Sequence, residues 1–550
     1  MARRRERQAL ATFVASVDSQ PASGRVETSA RRKEPGFAVL LVSCLTLFAL
    51  AVHGYHPYAE DGGLYMAGVK RLLDPALYPQ GAAFVLEPMR YSRFAPMVAW
   101  IVRLAPMGLP VVLLALHLLS VWVTLFASWM LAERCWPTRS ARAGAVTLLA
   151  CWLSLPVAGT ALVLMDPYLT ARSLSTPCMV LALVGVLDLT EQHDTSAVQS
   201  SRWRGLCLWL GGTTLAALMH PLMTTYALGA TLMLACVRSS SPSIRVWGAA
   251  TLSALALAMA TILHLFAKPE SAAYLRVALT RTYWYPATWS WYELAGLAAP
   301  LAILAVIALR NSPGPIQHES VQLSPVQHEL GWMTVLVGAA AWLIALLFAR
   351  AGNQTHLVAR LQPLRAFQIV YLIMVLALGA KLGEFVLRRS AWRWAVAIVL
   401  LGGVMLGAER SSFPDSNHME LPWTSPRNPW VQAFLWIREN TPVDALFALD
   451  ADYINASGED AQCFRSIAER SSLPDYSKDG GEASIAPDLT EAWGLGQQAQ
   501  QALSAPSTSD AQRIAALRPL GVSWIVLESR AVTEFNCPYA NADVKVCRLR

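Results

Sequence analysis

Long apolar segments recur along most of the chain and are separated by short polar loops. An α-helix needs about 20 apolar residues to cross the hydrocarbon core of a bilayer. The pattern therefore predicts about eleven transmembrane helices. The predicted spans are 37–53, 109–132, 143–164, 174–189, 205–219, 222–237, 246–266, 293–309, 331–349, 366–386 and 394–408. The segment 92–108, which prolines interrupt, predicts a shorter helix at the membrane interface.

The composition agrees with a membrane protein. Of 550 residues, 55% are hydrophobic and 15% are charged, whereas soluble proteins carry about 25% charged residues. Lys and Arg concentrate in the N-terminal tail and in alternate loops, which by the positive-inside rule predicts a cytoplasmic N-terminus. The loop at 310–330 is nearly free of them. Membrane orientation accounts for the net charge of +7 without a nucleic-acid partner.

The chain is predicted to contain three parts. Residues 1–36 form a basic, disordered cytoplasmic tail. Residues 37–410 form the transmembrane domain, with a large first outer loop at 54–108. Residues 411–550 change in composition and predict a small α/β domain outside the cytoplasm.

Two strands and two cysteines stand out in this C-terminal domain. The segment 523–529 (SWIVLES) predicts a buried strand, with 544–550 as its partner. Cys537 and Cys547 have a spacing that suits a hairpin closed by a disulfide, which an oxidising compartment would favour. Cys463 lies in the same domain, so the connectivity among the three cysteines stays open. The stretch 475–515 is too polar and irregular to assign.

The most unusual polar segment is 53–78, which directly follows the first predicted span. Glu60 and Asp61 stand there beside glycines, histidines and tyrosines. One interpretation makes Asp61 a catalytic carboxylate at the membrane surface, with Glu60 as the alternative. The other makes Asp61 the cap of the helix that follows. Desolvation beside lipid is expected to raise the pKa of this carboxyl, which would suit a base.

Further polar groups fall on the same face of the predicted membrane domain. They are Asp166, Tyr168 and Arg172, then His220, then the aromatic cluster 283–292, then Arg360, Gln362 and Arg365. Ionisable groups at membrane depth are costly, so they predict a functional site. Each also has a structural interpretation, as a turn residue, an aromatic interface anchor or a contact with lipid headgroups. Two arginines around Gln-Pro would suit a phosphate, because Arg presents a planar fork of donors.

This layout resembles the GT-C class of integral-membrane glycosyltransferases. Asp61 in AEDGGLYMAGVKRLLDPALYP lies at the class's catalytic first-loop position, and Asp166 in MDPYLTARSLSTP resembles its second-loop acidic site. The stretch 446–481 resembles the exported domain of bacterial GT-C-like proteins. The WWDYG-type motif of oligosaccharyltransferases is absent, so asparagine glycosylation is not implied. The resemblance implies a GT-C-like, α-helical polytopic protein of the bacterial inner membrane.

The resemblance also implies a reaction. A sugar would pass from a polyprenyl-phosphate donor to an acceptor outside the cytoplasm (a glycan, a lipid or a protein), with Asp61 deprotonating the acceptor hydroxyl. The residues assigned to the donor phosphate are Arg360, Arg365, Arg172 and Lys70. Those assigned to substrate binding are Asp166, Tyr168, His220, Gln362 and Trp291. No motif requires a cofactor, and the one candidate is a divalent cation, Mg²⁺ or Mn²⁺, held by Asp61 and Asp166.

Two other functions compete with this one. A transporter or flippase of a lipid-linked or anionic substrate would also place polar groups in the membrane, but it favours mid-bilayer sites and an internal repeat, which the sequence lacks. A catalytically inactive GT-C-like scaffold is the third possibility. Neither a phosphate-binding glycine loop nor clustered zinc ligands occur in the sequence.

Overall fold

The computed structural model describes residues 35–191, 197–310 and 325–549. The predicted tail lies almost wholly outside them, as does most of the loop at 310–330. Residues Ala38–Arg550 form one compact unit. This unit is mainly helical and ends in a small sheet domain, so the predicted fold class is confirmed.

The helices up to the C-terminal domain vary widely in length. In chain order they are α1 Pro35–His53, α2 Glu60–Leu73, α3 Ala82–Arg90, α4 Phe94–Leu104, α5 Leu109–Cys135, α6 Arg139–Cys151, α7 Ala171–Leu189, α8 Ala197–Met219, α9 Pro221–Val237, α10 Ala249–Phe266, α11 Ala272–Leu279, α12 Trp291–Arg310, α13 Pro325–Phe348, α14 Leu357–Arg360, α15 Phe367–Lys381 and α16 Ala391–Ser412. A π-helical turn, Ile244–Gly248, precedes α10, and another, Leu382–Leu387, follows α15.

Eight helical segments of the described residues are long and apolar enough to cross a membrane. Two shorter apolar helices, α4 and α9, accompany them. The predicted count of about eleven is therefore not confirmed. The short α4 does occupy the stretch for which an interfacial helix was predicted.

The prediction of a continuous span over 143–164 is wrong. Helix α6 ends at Cys151, and the chain continues as an irregular excursion in which Pro156 pairs with Val163. Proline has no backbone N–H and disrupts a helix interior, and Ala158 and Ala161 adopt left-handed backbone conformations (φ 47° and 54°). This excursion leads the chain into the loop that carries Asp166.

Glycines allow α7 and α8 to approach each other closely. A Cβ atom added to Gly185 would lie 2.6 Å from the carbonyl oxygen of Gly205, and one added to Gly212 would lie 2.6 Å from the carbonyl oxygen of Cys178. Small residues at such contacts are typical of membrane helix pairs, which associate mainly through van der Waals packing. The close pairing fixes α7, whose first turn carries Arg172.

The C-terminal domain packs helices around a five-stranded sheet. Its elements are α17 Pro429–Asn440, β1 Leu446–Ala448, α18 Phe464–Ala468, β2 Ser471–Ser472, α19 Lys478–Ile485, α20 Thr490–Ala499, α21 Asp510–Leu517, β3 Trp524–Glu528, β4 Tyr539–Ala540 and β5 Val544–Arg548. The strand order is β2-β1-β3-β5-β4. The expected pairing of β3 with β5 is confirmed, and the structure makes it antiparallel. A disulfide joins Cys537 to Cys547, while Cys463 is free.

The same domain also pairs with the first outer loop. Ala59 forms an antiparallel bridge with Gln462. The backbone N–H of Cys463 donates to the carbonyl of Tyr58 at 3.0 Å, and that of Glu60 donates to the carbonyl of Ala461 at 2.8 Å. The start of α2 is therefore held by backbone hydrogen bonds from a segment about 400 residues further along the chain.

Candidate active site

Asp61 lies in the first turn of α2 and does not cap it. The N-cap residue is Ala59, and no side chain supplies a capping hydrogen bond. The carboxylate of Asp61 instead contacts two cations, Lys478 and Arg172. The interpretation of Asp61 as a simple helix cap is therefore excluded.

Glu60 begins α2 in a left-handed conformation, with φ 51°. Non-glycine residues adopt this region rarely and at a cost, unless their surroundings impose it. Here the N–H of Glu60 is held by Ala461, and its carbonyl accepts a hydrogen bond from the thiol of Cys463 at 3.2 Å. The C-terminal domain thus sets the direction in which the first turn of α2 projects its two carboxylates.

Lys478, the first residue of α19, joins both carboxylates. Its Nζ atom pairs with Glu60 and lies 3.1 Å from Oδ1 of Asp61. The lysine side chain is only 14% exposed, whereas those of Glu60 and Asp61 are 39% and 35% exposed. Sequence reasoning missed Lys478, which falls in the stretch 475–515 that the pattern left unassigned.

Arg172 links Asp61 to Asp166 from the other side. A capping box between Thr170 and Ser173 starts α7 and fixes the position of Arg172 in its first turn. Nη2 of Arg172 lies 2.9 Å from both oxygens of Asp166 and 3.5 Å from Oδ2 of Asp61. Thr170 donates a further hydrogen bond to Asp166 at 3.2 Å.

The two aspartates differ in their proton affinity. Burial would raise the pKa of Asp61, but the positive charges of Lys478, Arg172 and Arg365 outweigh it and hold that pKa below its usual value. Burial raises the pKa of Asp166 in spite of its contact with Arg172. The expectation that desolvation raises the pKa of Asp61 is therefore wrong, because three cations surround it. Asp61 stays ionised throughout the physiological range.

A third carboxyl, contributed by the C-terminal domain, is influenced by the charge of Asp61. Glu482, on α19, is buried, and burial together with the charges of Asp61, Asp479 and Glu87 raises its pKa well above the ordinary value. A raised pKa favours the protonated form of a carboxyl, which can donate a hydrogen bond. Glu482 is thus electrostatically coupled to Asp61, which the sequence pattern did not reveal.

Arg365 has no anionic partner within the described part of the chain. It follows Gln362, which has a left-handed backbone (φ 51°), in a 3₁₀ turn that leads into α15. Its Nε is buried without a hydrogen-bond partner, and no carboxylate of the described residues pairs with it. The side-chain oxygen of Gln362 is also buried and unsatisfied. Arg365 lies within electrostatic reach of Arg172 and Asp61.

The other predicted site residues divide into two groups. Tyr168 is buried, and its ring lies against Gly62, where an added Cβ would approach it to 3.0 Å. His220 caps α9 by accepting a weak hydrogen bond from the N–H of Met223 at 3.5 Å. Its imidazole interacts electrostatically with Arg365, Arg172 and Asp61. These two lie near the carboxylates.

Three predicted residues lie elsewhere. Lys70 pairs with Glu469 at 2.6 Å. Trp291 is 80% exposed, and its ring contacts Tyr292. Arg360 donates a 3.3 Å hydrogen bond to the carbonyl of Ile485, at the end of α19. The structure thus joins Asp61 and Asp166 through Arg172. Lys70, Trp291 and Arg360 have other partners.

The predicted divalent cation does not fit the aspartates as they are arranged. Arg172 already lies between Asp61 and Asp166. No group of three or more potential metal ligands among His, Cys, Asp and Glu occurs in the described part of the chain. Mg²⁺ needs a near-octahedral set of oxygen ligands and tolerates little distortion, and here it would face two fixed positive charges.

The loop before Lys478 carries a pH-sensitive pair. The carboxylate of Asp475 accepts the backbone N–H of Lys478 at 2.6 Å, and Asp479 pairs with Arg465 at 2.6 Å. Burial and then the charge of Asp479 raise the pKa of Asp475 to about 7, against the opposing charge of Arg465. The ordinary pKa of an unfolded Asp is about 4.

We expect the thermal stability of the protein to fall as the pH rises toward and through about 7. The folded state holds the Asp475 proton more tightly than the unfolded state, so the stabilisation is fully present below pH ~4 and is lost as the pH passes the folded pKa. Asp475→Asn should flatten this part of a melting-temperature profile between pH 5.5 and 8.5. The exposed Asp488→Asn serves as control, and an unchanged slope in Asp475→Asn would refute the assignment.

No protein-family model and no curated protein matches the chain, but several solved structures are similar to it. The apo oligosaccharyltransferase of Archaeoglobus fulgidus is similar over 90% of this chain and 70% of its own, at 10% identity and a TM-score of 0.43. The oligosaccharyltransferase AglB of the same organism, in complex with an inhibitory peptide and a dolichol-phosphate, is similar over 90% and 69%, at 12% identity and a TM-score of 0.38.

A third similar structure is the arabinofuranosyltransferase AftD from Mycobacteria. It matches 94% of this chain but only 41% of its own length, at 14% identity and a TM-score of 0.47. These similar structures are glycosyltransferases of the GT-C class that the sequence resembles. At these TM-scores the likeness concerns the path of the chain only, and the function proposed next depends on the residues of the site.

Proposed function

We propose that this protein is a membrane glycosyltransferase that moves a sugar from a polyprenyl-phosphate donor to an acceptor hydroxyl outside the cytoplasm. The observation that carries the proposal is the pairing of two features. Asp61 is an ionised, partly exposed carboxylate. Arg365, within electrostatic reach of it, is a half-buried cation whose Nε is buried without a hydrogen-bond partner and which lacks an anionic partner among the described residues.

The donor phosphate is assigned to Arg365. An unpaired guanidinium at membrane depth is costly, and a bound phosphate would satisfy both its charge and its Nε. Arg172 adds positive charge on the same side, although its Nη2 is committed to aspartates. Because the leaving phosphate gains negative charge as its bond to the sugar breaks, these arginines stabilise the transition state more than the ground state.

Asp61 receives the proton of the acceptor. The acceptor oxygen forms a bond to the anomeric carbon, the bond from that carbon to the phosphate oxygen breaks, and the phosphate leaves with the electron pair. A low pKa makes Asp61 a weak base toward a free alcohol. The hydroxyl becomes far more acidic as its new bond forms, so proton transfer accompanies that bond rather than preceding it.

The C-terminal domain completes the acceptor side. Its helix α19 supplies Lys478 to the carboxylates and also carries Glu482, whose pKa the charge of Asp61 helps to raise. A carboxyl that favours its protonated form and an ionised one together suit a polyhydroxyl acceptor, which both donates and accepts hydrogen bonds. We place this domain and the site outside the inner membrane, in keeping with the loop charges.

The proposal is tested by donor binding. Purified full-length protein in nanodiscs would be titrated with short-chain polyprenyl-phosphate sugars, comparing wild type, Arg365→Ala and Asp61→Asn. Arg365→Ala should weaken binding about tenfold to hundredfold, since it removes hydrogen bonds to a charged group. Asp61→Asn should retain binding, because Asp61 acts on the acceptor.

Arg350→Ala is the matched control, because it removes the same charge from an exposed arginine whose Nε donates to the carbonyl of Leu346. It should leave donor binding unchanged. Absence of saturable binding across the panel would overturn the proposal. Binding without any transfer to candidate acceptors, together with movement of the donor across the membrane, would instead identify a flippase.

A further inference from the structure

We infer that Lys478 serves as the fixed cation of this site in place of a divalent metal, so that the transferase works without one. The inference rests on the proposed function, because it assigns a part to a residue of that same site. It starts from the misfit between the aspartates and a metal ion described above.

The charged groups form one alternating series. Glu60 contacts Lys478, Lys478 contacts Asp61, Asp61 contacts Arg172, and Arg172 contacts Asp166. The two oxygens of Asp61 face different cations, Oδ1 toward Lys478 and Oδ2 toward Arg172. A metal ion that approached Asp61 would have to displace one of these cations and would be repelled by both.

The lysine is fixed in place by its own domain. The backbone N–H of Lys478 donates to Asp475, and the carbonyl of the preceding Ser477 accepts a hydrogen bond from Nη1 of Arg281 at 2.7 Å. Its side chain is far less exposed than the carboxylates that it contacts. A mobile surface lysine would contribute little, whereas this one is held at a single position between two acids.

The source of the cation also matters. Lys478 belongs to the C-terminal domain, whereas Glu60 and Asp61 belong to the first outer loop. Asp61 and Lys478 are 417 residues apart in the sequence. A metal ion would neutralise the acids whether or not the domain was docked. A lysine does so only when α19 lies over α2, so the domain contributes directly to the electrostatics of the site.

Metal binding tests the inference without any measurement of transfer. Full-length protein in nanodiscs would be titrated with Mn²⁺ while the signal of free Mn²⁺ is followed by electron paramagnetic resonance. Wild type should bind no stoichiometric Mn²⁺ at concentrations up to about 100 µM. Lys478→Ala should acquire one site, with a Kd on the order of 10⁻⁴ M, because it frees the Glu60 carboxylate and Oδ1 of the neighbouring Asp61, whose Oδ2 still faces Arg172.

Two further variants define the acquired site. Lys478→Arg keeps the charge and should not bind Mn²⁺, and Lys478→Ala combined with Asp61→Asn should lose the site. Melting temperatures would confirm that each variant is folded. Stoichiometric Mn²⁺ binding by wild type would overturn the inference even if no variant folds. Failure of folded Lys478→Ala to gain Mn²⁺ binding would also overturn it.

Transfer by wild type should be unchanged by a chelator such as EDTA. Inhibition by EDTA that Mn²⁺ reverses would contradict the inference but leave the glycosyltransferase proposal standing. Conversely, if Mn²⁺ binding by wild type and the variants is as expected but the protein transfers no sugar, only the proposed function is overturned. The two failures are thus distinguishable.

Discussion

Asp61→Asn is expected to lower the transfer rate by about 10²- to 10⁴-fold at saturating donor, the range typical of losing a general base. The amide has the shape of the carboxylate but cannot take up the proton of the acceptor. Donor affinity should stay within about threefold of wild type, because the phosphate is assigned to Arg365 and not to Asp61. Transfer of a labelled sugar to acceptor, followed in nanodiscs alongside donor titrations, measures both quantities.

Glu60→Gln is the matched control. It makes the same chemical change at the neighbouring residue, whose carboxylate pairs with Lys478 but not with Arg172. We expect a loss of about tenfold or less, due to the altered position of Lys478. If Glu60→Gln proves the more damaging of the two, the base is Glu60 and the assignment is reversed. If neither variant affects transfer, neither Glu60 nor Asp61 is the base.

The sequence could reveal Asp61 because its signal is local. A pair of acids directly after a membrane-length apolar segment stands out by position alone, and so does Asp166, with Arg172 only six residues further on. The contact between Asp166 and Arg172 is formed within one loop and the helix that follows it. Such short-range arrangements depend on turn chemistry and helix starts, which leave marks in the sequence.

Lys478 could not be found in the same way. It meets Asp61 across 417 residues, and its own surroundings in the sequence are polar and irregular. Only the fold brings α19 over α2, through backbone pairing of residues 58–60 with 461–463. The predicted rise in the pKa of Asp61 failed for the same reason, since the desolvation was foreseen but the cation from the distant domain was not.

The membrane domain shows a second limit of pattern reading. An apolar segment predicted a span over 143–164, yet the helix ends at Cys151 because Pro156 and the left-handed Ala158 lie in its second half. Hydropathy measures the affinity of side chains for lipid, and it carries no information on which groups the backbone N–H and C=O groups pair with. By contrast, the β3–β5 pair was predictable from alternation and β-branched content. The spacing of Cys537 and Cys547 suggested their disulfide, but only the fold decides the connectivity among three cysteines.

Arg172→Gln is expected to destabilise the protein by about 3–5 kcal/mol, the usual cost of removing one partner from a buried ion pair. Asp166 is only 4% exposed, and without Arg172 it would retain just the hydrogen bond from Thr170. The double variant Arg172→Gln/Asp166→Asn should recover most of this loss, because no buried charge remains. Melting temperatures and free energies of unfolding by denaturant, measured in a defined detergent, would complete the double-mutant cycle of Arg172 and Asp166.

Transfer should not recover in the double variant, because Oδ2 of Asp61 still lacks its cation and the donor phosphate, although it keeps Arg365, still lacks the added positive charge of Arg172. Arg134→Gln is the control; Arg134 belongs to α5 and pairs with Asp188 at the opposite end of α7. It also breaks a pair with a buried carboxylate, that of Asp188, but Asp188 keeps Arg204 at 2.9 Å. We expect a smaller destabilisation there and normal transfer per folded molecule. Recovery of transfer in the double variant would show that Arg172 acts only on stability, and the electrostatic part assigned to it would have to be withdrawn.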